Sequence, residues 1–231
     1  MKIAFAGLDI PEGKRKLEDP ITKKLEEKFQ PKKTIPFFVE FVKEGFEDAD
    51  AIAISKNAVL DLLILDMEKL ENRLERVDAD SDDASLLKRC LETLENETPL
   101  CDMELDDAEL AVLAELAPAS LKGTIVLEND PEDLNDLAWK AIDKAGKAFF
   151  HTAGKPEVRS WFIDKGSDAV TCAGKIHTDL ARGFIKAEII NIADYEQAHN
   201  LNDARTKGLT KLVDKDYVVQ PGDILDIRFN V

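Results

Sequence analysis

The sequence is poor in cysteine, tyrosine and tryptophan, and its bases are outnumbered by its acids. It has three cysteines in 231 residues, Cys90, Cys101 and Cys172, none in a Cys-x-x-Cys pair or beside a histidine. That excludes a disulfide framework and the usual zinc-ligand spacings. No Ser or Cys nucleophile sits at a readable spacing from a histidine, so neither a catalytic residue nor a metal site is expected. Apolar runs fall well short of the roughly 18 residues that span a bilayer, which excludes a membrane helix. The apolar stretch at the start, Met1 to Gly7, is shorter than a signal-peptide core and runs into Pro11, Gly13 and charges, so export is not expected and the cytoplasm is the expected home. Lys and Arg number 31 against 47 Asp and Glu, a net charge of -16 that at first sight opposes a polyanionic partner.

The charge is unevenly spread. Residues 1–60 carry 11 acids and 11 bases, residues 61–137 carry 23 acids and 6 bases, and residues 138–231 carry 13 acids and 14 bases. The acid therefore belongs to the middle third, and the last third is near neutral.

Patterning follows the same division. In the first third, Ile3 to Ala6, Thr34 to Val42 and Ala51 to Ser55 read as strands. Ile21, Leu25 and Phe29 recur every four residues in a helix that starts at the Asp19-Pro20 cap. In the middle third, Leu63, Met67, Leu70, Leu74 and Val77, then Leu87, Leu91 and Leu94, describe a helical hairpin broken at Asp78 to Asp83, whose aspartates are expected to cap the second helix. A third helix is expected from Asp106 to Leu116 with Glu109 completing its cap, then a strand at Thr124 to Leu127 and a helix from Pro131 to Lys144. In the last third, Val158 to Ile163, Phe184 to Ile192 and the alternating Leu225, Ile227, Phe229 and Val231 read as strands, with one helix over Asp168 to Arg182 and a turn at Gln220 to Asp223.

Dense motifs in the last third carry a resemblance. Phe149-Phe150-x-Thr152-Ala153-Gly154, Glu157-Val158-Arg159, Gly174-x-Ile176-His177-Thr178-Asp179, Gly183-Phe184-Ile185 and Asp216 to Gln220 resemble the C-terminal part of the YchF/Obg-like ATPase family. Asp66 to Arg76 and Asp106-Asp107-Ala108-Glu109 resemble the two ends of its helical insertion. Gln30 to Pro36, Val39 to Val42 and Asp48 to Ala53 resemble the strands around its second switch. The resemblance implies an α/β plus α+β protein: a truncated P-loop-type α/β domain in residues 1–60 and 119–146, an acidic, coiled-coil-like helical insertion in 61–118, and a ubiquitin-like β-grasp TGS domain in 147–231.

The hydrolytic parts of that family are altered. A phosphate loop needs Gly-x-x-x-x-Gly-Lys-Ser/Thr so that backbone N–H groups wrap the phosphates, the lysine bridges them and the hydroxyl holds Mg²⁺. Here five residues lie between Gly7 and Gly13 instead of four, Lys14 is followed by Arg15, and Pro11 has no N–H to give. After Val42 the family has a metal-supporting Asp, but this chain has Lys43-Glu44-Gly45. Asn129-x-x-Glu132 matches the family's base-reading motif, and it also suits an ordinary turn and helix start. Gly7, Gly13, Lys14, Asn129 and Glu132 thus outline a degenerate nucleotide site. No cofactor is expected, with ATP or GTP and Mg²⁺ as the alternative.

Function is expected in the C-terminal domain. The resemblance implies contacts with RNA or the ribosome, for which Lys155, Arg159, Lys175, His177, Arg182 and Lys186 are the candidate residues, with Trp161 and Phe162 nearby for stacking. Solvating an ordinary surface would require the same cations. His177 is expected to be structural or RNA-facing, His151 and His199 have no partner pattern, and the cysteines are expected to pack. The preferred reading is a cytoplasmic, non-hydrolysing factor that binds RNA or the ribosome, with no DNA sequence specificity. The alternatives are an ATPase or GTPase with an unorthodox phosphate loop, and a scaffold that docks a basic protein on the acidic arm.

Overall fold

The computed structural model describes residues 1–230, so Val231, expected to end the last strand, lies outside the described residues. In chain order the elements are β1 (Lys2–Ala6), β2 (Gly13–Lys16), α1 (Pro20–Phe29), β3 (Lys33–Ile35), β4 (Phe38–Lys43), β5 (Ala51–Ser55), α2 (Val59–Leu74), α3 (Asp82–Glu95), α4 (Asp107–Leu116), β6 (Gly123–Leu127) and α5 (Leu134–Lys144). There follow β7 (Lys147–Ala153), β8 (Glu157–Asp164), α6 (Ala169–Ile176), α7 (Thr178–Arg182), β9 (Phe184–Asn191), α8 (Ile192–Tyr195), α9 (Leu201–Thr206), β10 (Lys211–Val213) and β11 (Asp223–Phe229). These form two units, one of residues 1–15 and 39–145, the other of residues 16–38 and 146–231. No helix is long and apolar enough to cross a membrane among the described residues.

The first unit is built on a five-stranded sheet in the order β2-β4-β1-β5-β6, in which β4, β1, β5 and β6 run parallel. Parallel strands buried on both faces read as continuous apolar runs, and β5 (AIAIS) is buried at every position. The helical hairpin forms as the leucine spacing predicts. Leu62, Leu63 and Leu70 of α2 meet Leu86, Leu87, Cys90 and Leu94 of α3 and Leu113 of α4 in one core. Asp106 and Glu109 make the expected reciprocal cap of α4. The cap of α3 differs from expectation: Ser81, not an aspartate, accepts from the Ala84 N–H at 3.1 Å.

The second unit is a mixed six-stranded sheet in the order β10-β9-β11-β7-β8-β3. Cys172 and Ala169 of α6 pack with Phe150, Ile163, Ala187 and Leu225 in one core cluster. Leu25 of α1, Tyr195 and Ala204 form a second cluster with Val158, Ile190 and Ile224, the neighbours in sequence whose side chains project to the opposite face. Three departures from the sequence reading stand out. The apolar run Thr34 to Val42 is two strands in two different sheets, because Pro36 cannot donate to a ladder and Phe37 instead packs its ring against Phe149 and Phe162, at 4.9 and 4.8 Å between centroids. Residues 16–38, grouped by sequence with residues 1–60, lie in the second unit. The helix expected over Asp168 to Arg182 is broken at His177, whose backbone is extended.

Candidate functional site

In a parallel sheet, ligands bind beyond the carboxyl ends of the strands where the strand order reverses. In the first unit that place is the end of β1. Gly7 turns the chain there with φ +67°, and a Cβ on it would come within 2.2 Å of the Ser55 Oγ, so only glycine fits. A phosphate loop would next enter a helix whose N-terminal N–H groups face the ligand. Here the chain runs through Leu8 to Glu12 into β2, which is an all-charged strand after its glycine (GKRK). Gly13 and Lys14 therefore sit on the strand beyond β4, two strand spacings or about 10 Å from β1.

The loop's polar groups are already engaged. The Asp9 N–H donates to Asp130 Oδ1 at 2.7 Å, and the Lys43 N–H donates to Glu12 Oε2 at 3.2 Å. Lys56, after β5, pairs with Glu128 at 2.8 Å. The Asp9 contact brings the loop after β1 beside the loop after β6, which carries exposed Asn129 and Glu132. Gly7 and the Asn129 loop thus lie at one edge of the sheet, while Gly13 and Lys14 are carried away from it. Asp9, Glu12, Glu44, Glu128, Asp130 and Glu132 crowd the strand ends and their loops, an arrangement that repels a polyphosphate unless a cation intervenes.

In the second unit the six candidate cations are scattered. Lys155 lies in the turn between β7 and β8, and Lys175 in the last turn of α6. Arg159 stacks its guanidinium 3.8 Å above the Trp161 ring, whose other neighbour is Phe150, while Phe162 packs with Phe37 and Phe149. Neither aromatic presents a free face for a base. Arg182 pairs with Asp179 at 3.0 Å and Lys186 with Asp214. His177 is a cap: its Nδ1 accepts from the Asp179 N–H at 3.1 Å and starts α7.

Sequence reasoning missed two polar groups whose partners are distant in the chain. His151, buried on β7, meets the Asp19 cap of α1 at 2.6 Å. Burial pushes the Asp19 carboxyl up, but the His151 hydrogen bond and charge, with bonds from Thr22 and Ile21, hold it below the ordinary value. Glu188, buried on β9, accepts from Arg205 at 2.8 and 2.9 Å and from Arg228 at 2.9 Å. Arg205 chiefly holds its carboxyl at about 2, against the opposing effect of burial, with help from Arg228 and Thr210. Of the cysteines, Cys90 and Cys172 are buried in the two cores, and burial pushes their thiols up to about 11 and about 12, well away from a reactive thiolate.

Residues 148–230 match the family model YchF-GTPase_C, described as a protein of unknown function (DUF933). The ribosome-binding ATPase YchF of Bacillus subtilis is 42% identical over 98 residues, which cover 42% of this chain and 27% of that protein. The Haemophilus influenzae protein of the same name is 45% identical over 82 residues, 36% of this chain and 23% of that one. Human Obg-like ATPase 1 is 39% identical over 103 residues, 42% of this chain and 26% of that one. The chain thus spans about a quarter of the length of the curated relatives it matches. Among solved structures, the Schizosaccharomyces pombe YchF GTPase superimposes with a TM-score of 0.78 at 20% identity, covering 96% of this chain and 89% of that one.

Proposed function

We propose that this chain, a member of the YchF family, is a ribosome-associated factor that docks through its C-terminal unit and does not hydrolyse nucleotide. Two bacterial relatives, 42% and 43% identical over 98 residues, are named ribosome-binding, and the family model matches residues 148–230. We assign the unit to the TGS type of β-grasp domain and RNA to its contact surface. The observation that carries the loss of hydrolysis is the strand that follows β1. Phosphoryl transfer rests on positioned donors, a lysine and Mg²⁺. A strand–loop–strand supplies no helix N-terminus, and carboxylates hold the Asp9 and Lys43 N–H groups.

Exposed Asn129 and Glu132 beside the Gly7 loop favour a second reading, in which a purine nucleotide still binds without being cleaved.

Sedimentation with purified ribosomes at low salt tests the first claim, and calorimetry with Mg²⁺·ATP and Mg²⁺·GTP tests the second. Co-pelleting with no heat of nucleotide binding is expected. Micromolar binding of either nucleotide that is lost in Lys14→Ala, together with turnover, would reverse the assignment of a non-hydrolysing site.

A further inference from the structure

Seven cations of the second unit pair with carboxylates inside it. Lys186 pairs with Asp214, Arg182 with Asp179, Arg205 and Arg228 with Glu188, Lys147 with Asp164, Lys24 with Glu196 and Lys207 with Asp203. Lys32, Lys33 and Lys155 are among those that do not. All three are exposed, and none has a carboxylate within ion-pair distance among the described residues.

They also occupy one corner. The Lys32 N–H donates to the Lys155 carbonyl at 2.9 Å, and β3 lies parallel to β8 with Lys33 opposite Glu157 and Ile35 opposite Arg159. Arg159 is fixed by its stack on Trp161 and adds a fourth positive charge on the adjacent strand. Glu157 lies across from Lys33 and Glu26 accepts from the Thr34 hydroxyl at 3.0 Å, leaving a local excess of about two positive charges on a sheet edge. Lys23 on α1, Lys175 on α6, Lys211 on β10 and Lys215 after it are also exposed and without an ion pair among the described residues. A ligand at the seven paired cations would have to displace an internal carboxylate. At this corner the three lysines are exposed, carry no ion pair among the described residues and are brought together by the backbone contact.

We propose that this β3 edge is the surface on which the C-terminal unit receives RNA, with Lys32, Lys33 and Lys155 each meeting a backbone phosphate. The inference rests on the ribosome reading above and deepens it, since two of the three lysines, Lys32 and Lys33, come from outside residues 148–230, which match the family model. It assigns phosphate contact rather than base reading, because the neighbouring aromatic rings are occupied. Lysines on an edge strand also discourage edge-to-edge pairing between copies. That role would appear in the oligomeric state and not in RNA affinity.

The test uses the full chain, purified ribosomes and deproteinised ribosomal RNA. The variant K32E/K33E/K155E is expected to lose at least tenfold in affinity for both. Neutral K32Q/K33Q/K155Q should flatten the dependence of log affinity on log salt by about 2, the change for three phosphate contacts on a single strand. Lys186→Glu, already neutralised in the fold, should change affinity less than twofold. Wild-type binding that survives both triple variants with the same salt slope overturns this inference and leaves the ribosome reading standing. So does a loss confined to ribosomes and absent with naked RNA, which would make the corner a protein contact. Failure of the wild-type chain to bind either probe removes both readings together.

Discussion

Asp19 and His151 lie 132 residues apart in the chain and meet at 2.6 Å inside the second unit. The same carboxylate caps α1 through the Ile21 N–H at 2.9 Å and the Thr22 hydroxyl at 2.6 Å, so one side chain both starts the helix and ties it to β7. Asp19→Ala should therefore cost more than a lost cap. A cap alone is worth about 1 kcal/mol, whereas removing one member of a buried pair costs about 3 kcal/mol or more. Asp19→Asn, which keeps the cap, should recover part of the loss. Urea unfolding of the three proteins checks the order, and an Asp19→Asn variant as stable as the wild type would refute the tie to His151.

Glu188 makes acid stability predictable. Its folded carboxyl is held at about 2 against an ordinary 4.5, so the stabilisation is complete above pH 4.5 and is lost as pH falls towards 2. Asp19 is also depressed and adds a loss of the same sign below its own ordinary value of 3.8. Glu188→Gln should lower stability at pH 7 and flatten the fall in the window between 4.5 and 2. Denaturant midpoints across that range measure it, and an unchanged slope would show that Arg205 and Arg228 do not retain the ionised form.

Asp66 in α2 is fully buried and accepts from the Ala119 and Ser120 N–H groups, each at 2.7 Å. Asp66→Ala leaves two buried donors unpaired, at about 1–3 kcal/mol each. Amide exchange at Ala119 and Ser120 should accelerate in the variant ahead of exchange in β5.

Gly123, at the start of β6, has no room for a side chain. A Cβ there would lie 2.5 Å from the Ala145 nitrogen and 2.6 Å from the Lys144 carbonyl carbon, backbone atoms that cannot rotate away. Gly123→Ala should destabilise the first unit by about 2 kcal/mol or more. Thermal unfolding is the measurement, and a melting temperature within a degree of wild type would contradict the close approach.

Local chemistry was enough to read several elements. The leucine spacing of α2 and α3, the Asp106–Glu109 box and the Asp19-Pro20 start of α1 all appear as the sequence predicts, because each depends on residues within one or two helical turns. β2 was illegible, since Gly-Lys-Arg-Lys has no apolar alternation and its pairing is dictated by the sheet beside it. The sequence leaves His177 either structural or RNA-facing, and its capping role follows from the break in the helix, which depends on the extended backbone at that residue.

By itself the sequence determined where the charge lies, where helices start and which C-terminal motifs resemble the YchF/Obg-like ATPase family. These are sums over residues or contacts between near neighbours. Only the tertiary structure decided that Thr34 to Val42 divides between two sheets, that Asp19 finds His151, and that Lys32 and Lys33 stand beside Lys155. Strand partners and buried ion pairs are chosen by what else must be covered, and a chain of 231 residues leaves that choice open until the sheets assemble.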